Sequence, residues 1–211
     1  GPAAKDLSHR LLKFEPGYRQ TQWHKNCIGV GLSVGFIEPL EATGISFAEV
    51  AALMLCNLFP WSGDYEASAR QFNEAMCKRF EHVKDFIKVH YYLSERYDTA
   101  FWRDNRAPDS ASEYLKGKLA QWRHRPPSFL DIDASHDIFD ENSWQYILYG
   151  MGFKTDISAR ADALRFYDDA RREFHSIQQQ SRNAMTAVPA HRQLINEVAS
   201  GGFRPRAGGR R

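Results

Sequence analysis

The clearest pattern along the chain is a stripe. Phe72, Met76, Phe80, Val83 and Ile87 recur at steps of four or three between Asp64 and about Ser94, so one apolar line runs down a long amphipathic helix. Upstream, residues 45–58 (ISFAEVAALMLCNL) are apolar nearly all round, which predicts a buried helix ended by Pro60. Further helices are expected over Ser110–Trp122, stopped by Pro126-Pro127, and over Glu141–Tyr149, closed by Gly150 and Gly152. A last one runs over about Ser158–Arg182, charged on one face, with Leu164, Tyr167, Phe174 and Ile177 on the other. The run Lys25–Leu32 (KNCIGVGL) is the one segment that reads as a buried strand. Beyond Ala199 the Gly/Arg-rich tail is expected to be disordered. The fold class that follows is mainly α with a short β contribution.

Composition supports a folded core: 43% of the 211 residues are hydrophobic. A net charge of +2 argues against a surface built for nucleic acid or anionic membrane. No apolar run is long enough to span a bilayer, and three scattered cysteines fit a reducing cytoplasm better than a disulfide framework. The histidines at positions 24, 82, 90, 124 and 136 include no pair four apart, so no metal site is expected. Gly1-Pro2 resembles the scar of a tag-cleaving protease.

The segment that carries chemistry is GFIEPLEATGI, residues 35–45. Pro39 keeps Glu38 out of helical angles, so a helix can begin only after a sharp turn. Thr43 and Gly44 then fall at its N-terminus, where unpaired amides and the positive end of the macrodipole make an anion site. Gly44 leaves those amides without a Cβ in front of them, and Glu41 supplies a base. On local physics alone an ordinary helix cap and a solvated glutamate are the commoner readings of these residues. Gly29, Gly31 and Gly35 follow the strand at a spacing unsuited to the dinucleotide fingerprint.

The order Trp23-His24-Lys25-Asn26, Gly31-Leu32-Ser33, then residues 35–45 resembles the second half of the flavin-dependent tryptophan halogenases. Phe86-Ile87 with His90-Tyr91, Arg96 with Asp98-Thr99-Ala100-Phe101-Trp102, and Trp144 with Gly150-Met151-Gly152 extend it, over roughly residues 10–155. The family's GxGxxG motif, catalytic lysine and WxWxIP segment do not occur in the chain, which is therefore expected to be an incomplete and, alone, inactive part of an enzyme. The resemblance implies the helical substrate side of an α+β flavoprotein of the two-component monooxygenase/halogenase type. Residues 1–9 are then tag remnant and linker, 10–45 complete the FAD-binding module, 46–198 form a helical substrate domain, and 199–211 are tail.

The resemblance further implies reduced FAD from a flavin reductase, with O2 and chloride or bromide, converted to hypohalous acid that chlorinates or brominates an aromatic substrate. Glu41 takes the catalytic role, Thr43 and Gly44 hold halide, Leu32 and Ile45 touch the flavin, and Ile138, Phe139 and Trp144 join Glu41 at the substrate. The missing N-terminal half is the expected partner, and a homodimer is compatible. Two departures bear on this. Ala42 replaces the usual serine, and Ile138-Phe139 replaces a Phe-Trp pair with Ala134 where an upstream acid is expected. An indole or phenol without an amino-acid head group, or an aromatic residue of a larger molecule, fits that loss better than free tryptophan. A non-catalytic helical module and a hydroxylating flavin monooxygenase stay open as alternatives.

Overall fold

The computed structural model describes Ser8, residues 10–158 and residues 165–201. The chain divides into two compact units between Ile157 and Ser158. In the first, four two-residue strands, β1 (Gly17–Tyr18), β2 (Trp23–His24), β3 (Cys27–Ile28) and β4 (Gly35–Phe36), precede helices α1 (Gly44–Leu58), α2 (Glu66–Tyr92), α3 (Ala100–Arg106), α4 (Glu113–Trp122) and α5 (Glu141–Gly150). The second unit holds α6 (Tyr167–Ala187) and α7 (His191–Ala199).

The single strand expected over residues 25–32 is corrected. Only Cys27 and Ile28 form a strand, paired with Trp23 and His24 in a hairpin whose turn sets Lys25 at a φ of 52°. Gly31 takes a φ of 63°, and residues 31–33 coil into a 3-10 turn in which the Ser33 hydroxyl bonds both the N–H and the C=O of Val30. Glycine and serine thus break a run that its β-branched neighbours favour. The second pairing, β1 with β4, brings Gly35 against Tyr18. A Cβ on Gly35 would lie 2.6 Å from Tyr18 Cβ, 2.9 Å from Phe80 Cζ and 3.0 Å from the Gly17 carbonyl, so close approach explains that glycine.

α2 is the spine. Its stripe residues Phe72, Met76, Phe80, Val83 and Ile87 are all buried, as the periodicity predicts. The N-terminal part joins Trp23, Val34, Phe47 and Ala51 in one core cluster, while Phe86 and Val89 join Leu115, Leu119, Trp122, Trp144 and Leu148 in another. Phe139 packs against both. Phe80 is sandwiched: Phe47 stacks on it at 4.0 Å between ring centroids and Tyr18 at 4.7 Å, fastening α1 and β1 to the spine. α4 and α5 begin on side-chain caps, Ser112 to Leu115 N and Asp140 to Ser143 N.

α1 spans the expected residues but is not buried on all sides. Phe47 and Ala51 are buried, while Ile45 is 75% and Leu53 63% exposed. The reason is that α2 covers one face and no described residue covers the opposite one. α3 and α7 are additions, and α6 runs past the expected end at Arg182, while residues 159–164 of the expected helix lie outside the described residues. Phe174 and Ile177 of α6 lie exposed, and Leu164 and the tail beyond Gly201 lie outside the described residues. Among the described residues no helix is long and apolar enough to cross a membrane.

Phe80→Ala removes a fully buried ring from the junction of three elements and should cost about 3–5 kcal/mol. Urea unfolding of parent and variant followed by circular dichroism tests this; a loss below about 1 kcal/mol would show that the sandwich does not hold the unit together.

Candidate active site

The loop from Ile37 to Thr43 connects β4 to α1, and its path is set locally. Ala42 N–H reaches back to the Pro39 carbonyl at 3.4 Å, and Ala42 itself adopts a φ of 32°, rare for a residue with a Cβ. That turn delivers a buried Thr43 to the start of α1, where its carbonyl accepts from Phe47 N–H at 3.0 Å. No side chain caps the helix, so its first amides are left to whatever occupies the space before them. That space is a cavity of about 230 Å³ lined by residues 35–39, 42–45, Phe47 and Phe80. A Cβ on Gly44 would meet no atom within 4 Å.

Two carboxylates of the loop are tied to two adjacent residues in the last turn of α2. Tyr91 OH donates to Glu38 Oε2 at 2.7 Å, and His90 Nε2 lies 2.9 Å from Glu41 Oε1. The Tyr91 hydroxyl is pushed up to about 12, first by burial and then by the bond to Glu38. Glu38 Oε1 is buried with no hydrogen-bond partner among the described residues. Glu41 keeps a quarter of its side chain exposed.

The remaining expected site residues separate into groups. Leu32, 77% exposed, lies on the 31–33 turn that packs against α1, and Ile45 lies on the first turn of that helix. Ile138 packs on the first core cluster, and Phe139 stacks on Phe86 at 3.8 Å. Trp144 is 3% exposed and sits between Phe86 and Trp122. It belongs to the second core cluster. A contact chain links the groups: Glu41 to His90, His90 to the Phe86 ring and carbonyl, and Phe86 to Phe139.

The segment ahead of Ile138 and Phe139 is held by ion pairs. Lys78 bonds Asp133 at 2.7 Å, His82 meets Asp137 at 2.5 Å, and Arg125 grips Asp131 with both terminal nitrogens while Trp122 Nε1 donates to it. The Arg125 guanidinium beside Asp131 holds its carboxyl well below the usual carboxylate range. Lys78 does the same for Asp133. These pairs fix where Phe139 meets Phe86. Sequence reading missed the pairs, Glu38's bond to Tyr91 and the link from Glu41 to His90; the one available signal was the adjacent His90-Tyr91 at the end of a helix.

Solved structures place the architecture. The chain superposes on the tryptophan halogenase of Shewanella frigidimarina NCIMB 400 with a TM-score of 0.81 and 34% identity, over 96% of this chain and 39% of that one. It superposes on BrvH, a flavin-dependent halogenase from Brevundimonas sp. BAL3, with a TM-score of 0.72 and 32% identity, over 86% of this chain and 36% of that one. In sequence it is 29% identical to the 7-chloro-L-tryptophan 6-halogenase of Kutzneria sp. (strain 744), over 92% of this chain and 38% of that protein. The class is therefore the helical portion of the flavin-halogenase fold. Residues 2–165 match the tryptophan halogenase family, and the chain belongs to it. It spans less than two fifths of the length of these relatives.

Because Asp131 ionises more readily in the folded state, its contribution is fully present above the unfolded carboxylate value of about 3.9 and is lost as pH falls through the lower folded value. Asp131→Asn should lower thermal stability at pH 7, with the gap to the parent closing progressively below about pH 4. A gap of constant size down to pH 2 would show that this carboxylate is not what anchors the segment.

Proposed function

We propose that this chain forms the halide- and substrate-facing part of an FAD-dependent halogenase that chlorinates or brominates an electron-rich aromatic compound of indole type. The observation that carries the reading is the uncapped N-terminus of α1, open to a cavity and flanked two residues earlier by Glu41. Backbone amides of Thr43 and Gly44 hold chloride or bromide there, where the helix end favours an anion and side-chain changes such as Ala42 leave the amides in place. Glu41 stands beside the reacting centre as the acid-base group that positions the halogenating species and takes the proton lost from the substituted ring.

The residues fit the flavin in one respect: Leu32 and Ile45 present apolar side chains about three-quarters exposed, next to a helix start with open space over Gly44. Reduced FAD, delivered by a flavin reductase, supplies with O2 the oxidising power that turns halide into a halogenating acid. Residues 10–45 in this reading complete the FAD-binding module, and 46–198 serve the substrate. The phosphate-binding half of the flavin site belongs to the length of the relatives that this chain does not span. Ile138 and Phe139 face the aromatic ring, with Trp144 bracing them from behind. The substrate lacks an amino-acid head group or carries its aromatic ring on a larger molecule, since Ala134 offers no charge to hold a free amino acid. The enzyme works in the cytoplasm.

In the protein with its flavin-binding half, Glu41→Gln should leave FAD binding intact and lower halogenation by about 10²–10⁴-fold. Equal turnover in variant and parent would remove Glu41 from the chemistry.

Bromide-soaked crystals should show an anomalous peak within hydrogen-bonding reach of the Thr43 and Gly44 amides. Gly44→Val should impair halogenation while circular dichroism stays that of the parent, because a Cβ there meets no other atom. Bromide found elsewhere with this turn empty would reduce the Thr-Gly pair to a simple helix start.

A further inference from the structure

We infer that Asp137, held by His82, is a positioning residue for Phe139, and that this pair sets how an aromatic substrate lies in the site. The inference rests on the proposed role of Phe139 for its functional meaning, and on geometry alone for the positioning itself.

One row of α2 organises the segment. Lys78, His82 and Phe86 follow one another at steps of four, so they stand one above the other on a single face of the helix. Each meets the 133–139 segment, and in chain order. Lys78 Nζ donates to Asp133 at 2.7 Å, His82 Nδ1 bonds Asp137 Oδ1 at 2.5 Å, and the Phe86 ring stacks on Phe139 at 3.8 Å between centroids. The segment therefore runs along the helix in register with its side chains.

The middle contact is the pin. Asp137 is committed at both oxygens, with Oδ1 on His82 and Oδ2 accepting the Asp133 N–H at 2.7 Å, while Asp137 N–H donates back to the Asp133 carbonyl at 2.7 Å. The carboxylate thus closes residues 133–137 into one turn and fastens that turn to the helix. Its side chain is 7% exposed and that of His82 11%, so water competes little for the bond, whereas Lys78 keeps 49% of its side chain in solvent. The imidazole is immobilised in its turn, because Tyr114 of α4 stacks on it at 4.9 Å with the rings 11° from parallel. A neutral ring carrying its hydrogen on Nδ1 is enough to make the bond.

Chain length does the rest. Four residues of α2 carry His82 to Phe86, about 6 Å along the axis, and the two residues from Asp137 to Phe139 span at most about 7 Å. A segment pinned at His82 therefore reaches Phe86 with little slack. One residue further on, Asp140 is fixed as the cap of α5 by the Ser143 N–H at 2.8 Å. Phe139 is held on both sides, yet it is only half-buried. Its orientation is thereby dictated by a hydrogen bond two residues away that itself touches no substrate.

The test uses the protein with its flavin-binding half and indole as the aromatic probe. Asp137→Ala should raise KM for indole about tenfold and shift the ratio of ring positions halogenated, as expected when a reacting ring loses its fixed orientation. Formation of hypohalous acid, read with monochlorodimedone in the absence of indole, should stay within about twofold of the parent, because neither residue lines the cavity at the start of α1. His82→Phe keeps a ring against Tyr114 and removes only the bond, so it should shift the product ratio in the same direction. Asp137→Asn, whose amide can accept from the Asp133 N–H and donate to His82 Nδ1 in its other tautomer, should restore most of the parent behaviour. Parent-like KM and product ratio in both Asp137→Ala and His82→Phe overturn the positioning role. A loss of hypohalous acid formation equal to the loss on indole overturns it too, since that marks general damage to the fold. Should the parent itself fail to halogenate, the functional proposal falls while a crystal structure of His82→Phe still decides the pin: Phe139 displaced from Phe86 upholds it, and an unchanged stack overturns it.

Discussion

One helix is asked to bury two cores. α2 gives its N-terminal turns to the cluster around Phe47 and Trp23 and its C-terminal turns to the cluster around Trp122 and Trp144, and its last turn meets Glu38 and Glu41. The stacked rings of Tyr18, Phe80 and Phe47 are the tightest expression of this constraint. They fix the strand-to-helix loop against the spine, and the last turn of the same helix then reaches back to hold Glu38 and Glu41. Rigidity at one end of a helix thereby becomes precision at the other, as a preorganised site requires.

The parts legible in the sequence were those with a strong local cause. The 3.6-residue stripe from Phe72 to Ile87 announces α2, and Pro39 followed by Thr43-Gly44 announces where α1 starts. The parts missed were either local side-chain bonds that the run of apolar residues masks or contacts with distant partners. Nothing near Ser33 in sequence says that its hydroxyl will fold the Val30 backbone into a turn, so a run rich in β-branched residues reads as one strand. The all-apolar α1 reads as buried because composition cannot say whether its second face is covered within this chain.

The same divide runs through the site. The helix start at Thr43-Gly44 was legible because Pro39 forces a turn before it, and a helix start leaves unpaired amides wherever it occurs. For Trp144 the sequence offered only a large aromatic near a motif, which reads alike whether it faces a ligand or the core; its contacts are with Trp122 and Phe86. His90 looked like one more isolated histidine, since its partner is 49 positions away. Lys78, His82 and Arg125 carry no signal in sequence for their partners Asp133, Asp137 and Asp131, which lie up to 55 positions away.

Those three pairings lie before Ile138 and Phe139, and Asp140 caps the next helix immediately after. The two residues are therefore framed by fixed points on both sides, like a short exchangeable cassette. Variation between the anchors changes the apolar surface they offer without asking the anchors to move. Side chains at these two positions can thus change while the backbone path on either side stays held by the same ion pairs and helix cap.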